Sequence, residues 1–237
     1  VSFSCADVPT EPLPLIGLET GIDVGVKVFL ITADGQPVEN PRHYRTAEKS
    51  LQKAQQRVSR RKKGSKRRRK AVQVLAKKHQ HVRRQRSDFH HKVALALVRA
   101  YDTIYVEAIR PANLSRRPAP KQDENGTYEH NGASRQSGLN KSIHDAGWRH
   151  FLSLLAFKAA CARKRVEAVN PAYTSQECSG CGERMQLSLS VRTHVCTHCG
   201  LILDRAENAA RNILWLGQSL WGLAGLPAGV NREPVGL

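Results

Sequence analysis

Apolar positions along the chain follow two different periods, and the switch between them lays out the elements. Residues 21–32 are β-branched and apolar and run into the turn pair Asp34-Gly35, which predicts a hairpin with a third strand around Val38. From His43 the period lengthens. Leu51, Ala54 and Val58 share one helical face before Gly64-Ser65 interrupts, and Leu75, Val82, Phe89, Val93 and Leu97 mark a longer amphipathic helix. Residues 103–109 read as a buried strand carrying one acid, Glu107. Residues 118–138 are polar and rich in Gly, Asn, Ser and Gln, which predicts a mobile loop. One helix is expected over 142–163, with Ile143, Trp148, Phe151, Leu155 and Ala159 inward, then a short strand over 165–169 and a last helix over 205–217. Strands first, then helices alternating with strands, give an α/β class with a mixed sheet.

Charge changes this picture most. The 237 residues carry Lys+Arg 38 against Asp+Glu 20, a formal net charge of +18. More than half of the cations fall between Arg42 and Arg99, where the only acids are Glu48 and Asp88. Such a concentrated field serves a polyanion, most commonly nucleic acid. The densest part is Arg57, Arg60, Arg61, Lys62, Lys63, Lys66, Arg67, Arg68, Arg69 and Lys70. This run reads as a surface that tracks phosphates, against the plainer alternatives of a solvated charge run or a localisation signal. Aromatic content is 5%, so base stacking is not the main source of affinity. No apolar run approaches the roughly 20 residues of a membrane span. The start, Val1 to Cys5 followed by Pro9, Pro12 and Pro14, reads as the last strand of something larger and a linker. The tail from Trp221 is rich in Gly and Pro.

Of the six cysteines, Cys178, Cys181, Cys196 and Cys199 form two C-x-x-C pairs. Four thiolates in two knuckles give a closed tetrahedral zinc site, structural rather than catalytic. Gly180, Gly182 and Gly200 let the backbone turn tightly around the metal. His194 and His198 fit the knuckle geometry less well, and Cys5 and Cys161 read as small buried hydrophobes. A metal-bound cysteine set without a secretory signal points to a reducing, cytoplasmic (nucleoid-associated) setting.

Two strand acids, Asp23 between Gly21 and Gly25 and Glu107 later, sit among apolar neighbours. Each is either a partnered structural group or a metal ligand, with the flanking glycines leaving room for a phosphate backbone. Here the chain resembles a known family. Gly21-Ile22-Asp23-Val24-Gly25, the basic stretch 59–66, Tyr101 to Glu107, Asn140 to Trp148, the four cysteines and the final Asp204-Arg205-x-x-Asn208-Ala209-Ala210 all look like the TnpB (OrfB) family, over roughly residues 21–217. These transposon-encoded proteins, long called transposases, are related to type V CRISPR nucleases.

The resemblance implies a RuvC-like ribonuclease-H fold with a helical basic insertion and an inserted four-cysteine zinc ribbon. It also implies Mg²⁺-dependent cleavage of DNA directed by a guide RNA. Residues 1–20 would then be a remnant of an N-terminal lobe and its linker. Residues 21–172 would form the RuvC-like part with the insertion near 43–100, residues 173–203 the zinc ribbon, 204–217 the final helix and 218–237 a tail. Asp23 and Glu107 match the first and second catalytic, magnesium-binding acids. The third departs, because the pattern Asp-Arg-Asp-x-Asn has Ala206 where the metal ligand belongs.

Ala206, Ala209, Ala210, Ile213 and Gly217 share a face that should pack on the sheet, pointing position 206 toward the two acids. On that helical wheel Asp204 lies about 200° away and Glu207 about 100° away. Asp204 is expected as an N-cap that forms a capping box with Glu207, and only as a weak substitute ligand. The reading is a truncated, catalytically impaired copy. A guide-dependent binder or repressor without cleavage, and a strand-transfer transposase, are the alternatives.

Overall fold

A computed structural model describes residues 12–109, 111–186, 188 and 191–222, so Cys5, the expected first strand and most of the tail lie outside the described residues. The chain divides into two units. One gathers Val1–Glu39, Val93–Ile109 and Leu152–Leu237, the other Asn40–Lys92 and Arg110–Phe151.

The first unit is built on a five-stranded sheet with order β3-β2-β1-β4-β7, formed by β1 (Glu19–Val24), β2 (Val28–Thr32), β3 (Pro37–Glu39), β4 (Thr103–Glu107) and β7 (Arg165–Val169). β1 pairs antiparallel with β2 and parallel with β4, and β4 pairs parallel with β7, so the sheet is mixed as expected. The predicted hairpin is a three-stranded meander. Its first turn lies at Gly25–Lys27, closed by the Gly25 N–H donating to the Phe29 carbonyl at 3.0 Å. Asp34-Gly35 makes the second turn, with Gly35 at φ 77°. Phe29, Leu30, Ile31 and Thr32 are all buried, as are Thr103 to Val106, which is the run expected of strands covered on both faces.

The cover on one face is α6 (Arg205–Gly222), whose buried stripe is Ala209, Ala210, Ile213 and Gly217. Small residues let it ride close. A Cβ at Gly21 would overlap the Ala210 carbonyl oxygen, and one at Gly217 would overlap the Tyr105 ring. The space beside Asp23 is therefore not open to a phosphate backbone as the sequence suggested: α6 fills it at Gly21, and the Val28 carbonyl closes on Gly25. The same unit carries a small two-stranded sheet, β8 (Thr193–Val195) with β9 (Ile202–Asp204).

The second unit is mostly helical. It contains α1 (His43–Ser59), most of α2 (Lys66–Ala100), α3 (Pro111–Leu114), a hairpin of β5 (Lys121–Gln122) with β6 (Tyr128–Glu129), α4 (Ala133–Ala146) and the first residues of α5 (Trp148–Cys161). The break at Gly64-Ser65 is as read, and Ser65 is also a cap: its Oγ accepts the Arg68 N–H at 3.1 Å. The single helix expected over 142–163 is two helices. Gly147 ends α4 in the left-handed region at φ 65°, and any Cβ there would press on His90 and Arg86. Residues 118–138, expected as one loop, contain the β5–β6 hairpin and the start of α4.

Arg42 offers α1 no side-chain cap; instead Asp145 of α4 accepts the Tyr44 and Arg45 N–H groups at 2.8 and 3.1 Å. Arg45 returns bonds to the Gly138 carbonyl and Ser142, and Glu48 pairs with both Arg45 and Lys141. The stretch from Asn140 to Trp148 thus clasps two helices together.

Candidate acidic centre and four-cysteine site

Asp23 lies at the carboxyl end of β1 and Glu107 at that of β4. Ile22 stands opposite Val106, so each acid follows a paired residue on one of two adjacent parallel strands, whose backbones lie about 4.8 Å apart. Burial pushes the Asp23 carboxyl up to about 8, and the neighbouring Glu107 adds to the rise. Arg205 and Arg192 pull it back, while Asp204 pushes it further up. Glu107 is likewise raised by burial, against the Thr174 hydroxyl, which donates to its Oε1 at 2.6 Å. Burial thus disfavours the ionised form of both carboxyls, and a cation bound between them would favour it.

Ala206 packs against Ile31, Ala33 and Ala210, with Ile31 the cross-strand partner of Asp23. Its methyl therefore sits in an apolar seam one strand away from Asp23. Asp204 is the last residue of β9, not part of the helix, so the wheel that set it about 200° away does not apply. It does cap α6: its Oδ1 accepts the Ala206 N–H at 2.8 Å. Glu207 leaves the expected capping box, its carboxylate pairing with Arg211 at 2.7 Å and lying beside Gly35. Among the described residues no third acid comes within mutual ligand reach of Asp23 and Glu107, although Asp204 is near enough to raise the Asp23 carboxyl; the group of three or more metal-binding side chains within mutual reach is the cysteine quartet.

In that quartet, all four sulfurs lie within 4.8 Å of one another, with Cys178–Cys199 and Cys181–Cys196 at 3.6 Å. Metal–sulfur bonds of about 2.3 Å at tetrahedral angles require edges of roughly 3.8 Å, so the set fits a metal such as zinc. The two knuckles are built alike. The Gly182 N–H donates to the Cys178 carbonyl at 2.8 Å and the Gly200 N–H to the Cys196 carbonyl at 2.9 Å, both glycines at positive φ. Burial pushes the Cys178 thiol up to about 12. Burial acts the same way on Cys196, but the N–H groups of Cys199 and His198 outweigh it and bring that thiol to about 7. His194 is fully buried and His198 exposed, and neither joins the group. Cys161, expected buried, is only half so.

Sequence reasoning missed the residues that tie this knuckle segment to α6. Buried Asn208 donates to the Glu177 carbonyl at 2.7 Å and accepts the Ser179 N–H at 2.8 Å. Asn212, one turn on, donates to the carbonyls of Thr174 and Glu177. Thr174 in turn holds Glu107, so one hydrogen-bonded chain runs from α6 through the knuckle segment to the acid. An asparagine at each of two successive turns of a packed helix was the available signal.

The basic run spans the last turn of α1, the connecting turn and the start of α2. Arg57, Arg60, Lys62, Lys63, Lys66, Arg67, Arg69 and Lys70 are exposed, and Arg61 and Arg68 half-buried. Among the described residues none of the ten forms an ion pair.

Residues 2–117 match the OrfB_IS605 family, described as "Probable transposase", and residues 148–213 match the "Cas12f1-like, TNB domain". A "Putative RNA-guided DNA endonuclease" of Streptomyces pristinaespiralis is 35% identical over 92% of this chain and 49% of its own length. The "Putative RNA-guided DNA endonuclease InsQ" of Escherichia coli K12 is 32% identical over 84% of this chain and 49% of its own. This chain thus spans about half the length of these relatives. The cryo-EM structure of a Cas12f1–sgRNA–target DNA complex shares the fold at a TM-score of 0.55 and 18% identity, covering 86% of this chain and 51% of that one.

Proposed function

Because the chain belongs to the TnpB (OrfB) family, related to type V effectors, we propose that it is a nucleic-acid-binding portion of an RNA-guided DNA endonuclease whose own cleavage is severely impaired. The mixed sheet, with acids at the ends of two parallel strands and α6 across it, is read as a RuvC-like, ribonuclease-H-type core. Residues 21–172 carry that core with its basic insertion, 173–203 the zinc ribbon and 204–217 its closing helix.

The observation that carries the reading is the pair Asp23 and Glu107, held side by side and reluctant to ionise, with only a methyl at position 206. Magnesium, when bound, would supply the charge that stabilises a phosphoryl-transfer transition state, and Asp23 and Glu107 are the residues that would hold it. Thr174 orients Glu107, and the chain through Asn212 keeps Thr174 in place. Two-ion chemistry depends on ions placed about 3.5–4 Å apart, and two carboxylates without a third leave that placement underdetermined.

The basic run supplies binding. Its portion on α2 opposes the helix dipole, since the first turn of that helix holds no acid and several cations. A local rule broken this way points to a ligand that supplies the missing anions. DNA, and a guide RNA paired to it, are the partners this reading names.

The test is nicking of labelled single-stranded DNA with Mg²⁺ or Mn²⁺ by the parent, Ala206→Asp and Asp23→Ala. Expected are salt-sensitive binding by all three and cleavage above background from Ala206→Asp alone. A parent that cuts as fast as Ala206→Asp refutes the role assigned to position 206.

A further inference from the structure

The helical unit holds a second cationic feature, of a different kind from the run at 57–70. Arg83, Arg84, Arg86 and Ser87 of α2, with His144 and His150, line a cavity of about 490 Å³ that has no carboxylate in its wall. It shares Arg86 and His144 with a neighbouring cavity of about 340 Å³, reached by Lys141. The one acid there, Asp145, has its carboxylate occupied by the Tyr44 and Arg45 N–H groups. Arg83 also borders a groove along α2 that begins at Gln73.

The backbone around the cavity is arranged to leave it positive. It lies where α4 ends and α5 begins, so carbonyls from one helix and N–H groups from the other meet there. The carbonyls are taken: that of Ile143 by the Gly147 N–H at 3.1 Å, that of His144 by Arg86 Nη1 at 3.0 Å, and that of Ala146 by His90 Nε2 at 2.9 Å. With these three carbonyls at the end of α4 satisfied, and the N–H groups of His150 and Phe151 given to the Gly147 carbonyl at 3.0 and 3.2 Å, three guanidiniums dominate the cavity. Arg86 is fixed by its bond to His144, while Arg83 and Arg84 have no acidic partner among the described residues.

We infer that the cavity lined by Arg83, Arg84, Arg86, Ser87, His144 and His150 is a seat for a backbone phosphate of a polynucleotide, fed by the groove along α2. Gln73 to Ser87 spans fourteen helical steps, roughly 21 Å, enough to follow several nucleotides. The inference rests on the nucleic-acid reading above and goes beyond it in naming a concave, partly pre-oriented site outside the run at 57–70. Arg forks with fixed geometry suit phosphate oxygens better than a flexible charge does.

The test uses the zinc-loaded 237-residue chain and fluorescence anisotropy with one single-stranded sequence, as DNA and as RNA, across a salt series. Arg83→Gln/Arg84→Gln is compared with Arg116→Gln/Arg117→Gln, which removes the same charge from exposed positions outside the cavity. Expected is roughly a tenfold loss of affinity at about 100 mM salt for the first pair, with the log–log salt slope flatter by about 1.4, or about 0.7 per lost phosphate contact. The control pair is expected to lose less than about twofold, and both variants to melt like the parent. Equal losses in the two pairs would leave only diffuse charge and overturn the seat. No loss at Arg83/Arg84, with a large loss on neutralising Arg60 to Lys63, overturns the seat while the nucleic-acid reading stands. A parent that binds neither strand removes both.

Discussion

Replacing Asp23 with asparagine should stabilise the metal-free protein, and increasingly so as pH rises. The native Asp23 carboxyl holds its proton to about 8, whereas its ordinary value is 3.8. Between those limits the folded chain keeps a proton that the unfolded chain has released. Unfolding is then favoured by each rise in pH, by about 1.4 kcal/mol per unit for this one group. The direction is opposite to that of a salt-bridged aspartate. Its penalty is absent below about pH 4 and complete above about pH 8, where it is several kcal/mol at most. Even a quarter of the full amount, about 1.4 kcal/mol, moves the melting temperature of a chain this size by roughly 3–6 °C. Asp23→Asn keeps the shape and removes the ionisation. Melting of parent and variant should lie closest near pH 4 and separate by pH 8.5, with the variant higher. Millimolar Mg²⁺ at pH 8.5 should narrow the gap by raising the parent only. A gap of the same size at both pH values, or a parent that gains on the variant as pH rises, would refute the assignment of a buried, acid-flanked carboxyl at this position.

Asp145→Ala removes the acceptor for two N–H groups at the start of α1 from a buried site, and should cost about 1–3 kcal/mol in a urea melt, with faster amide exchange at Tyr44 and Arg45. Gly21→Ala drives a methyl into the Ala210 carbonyl and should cost at least 1–3 kcal/mol; Gly64→Ala, where a Cβ meets nothing within 4 Å but φ is 82°, should cost less. Cys178→Ser should reduce bound zinc, measured by metal analysis, from about one per chain toward none, and should loosen residues 173–204 to proteolysis before the five-stranded sheet gives way.

Much of this was legible because it depends on local pattern. Val28 to Thr32 and Thr103 to Glu107 announce themselves as covered strands, and two C-x-x-C pairs with glycine after each second cysteine announce a knuckle site. What could not be read depends on partners far along the chain. Periodicity runs straight through Gly147, because α4 and α5 both keep buried positions in step, and only the left-handed backbone packed on His90 breaks the helix there. The wheel drawn through Asp204 failed for a related reason: the residue belongs to β9, and helical geometry begins one position later. Gly21 looked like clearance for a ligand and is clearance for α6, which no local signal distinguishes.

The duties of α6 fall on separate residues, and this bears on how a copy with alanine at 206 persists as a folded protein. Its grip on the sheet comes from Ala209, Ala210, Ile213 and Gly217, and its grip on the knuckle segment from Asn208 and Asn212. Its start is secured by Asp204. None of these needs a carboxylate at position 206, which lies on the apolar seam of Ile31 and Ala33, where a methyl packs well and a charge would cost desolvation unless a cation met it. A third acid at this place is therefore a burden on the fold that only bound metal relieves. Losing it removes that burden while leaving the exposed cations of α1 and α2 untouched. On the proposed reading, selection for binding alone would favour alanine at 206, and Ala206→Asp should melt below the parent without divalent metal and recover when Mg²⁺ is added.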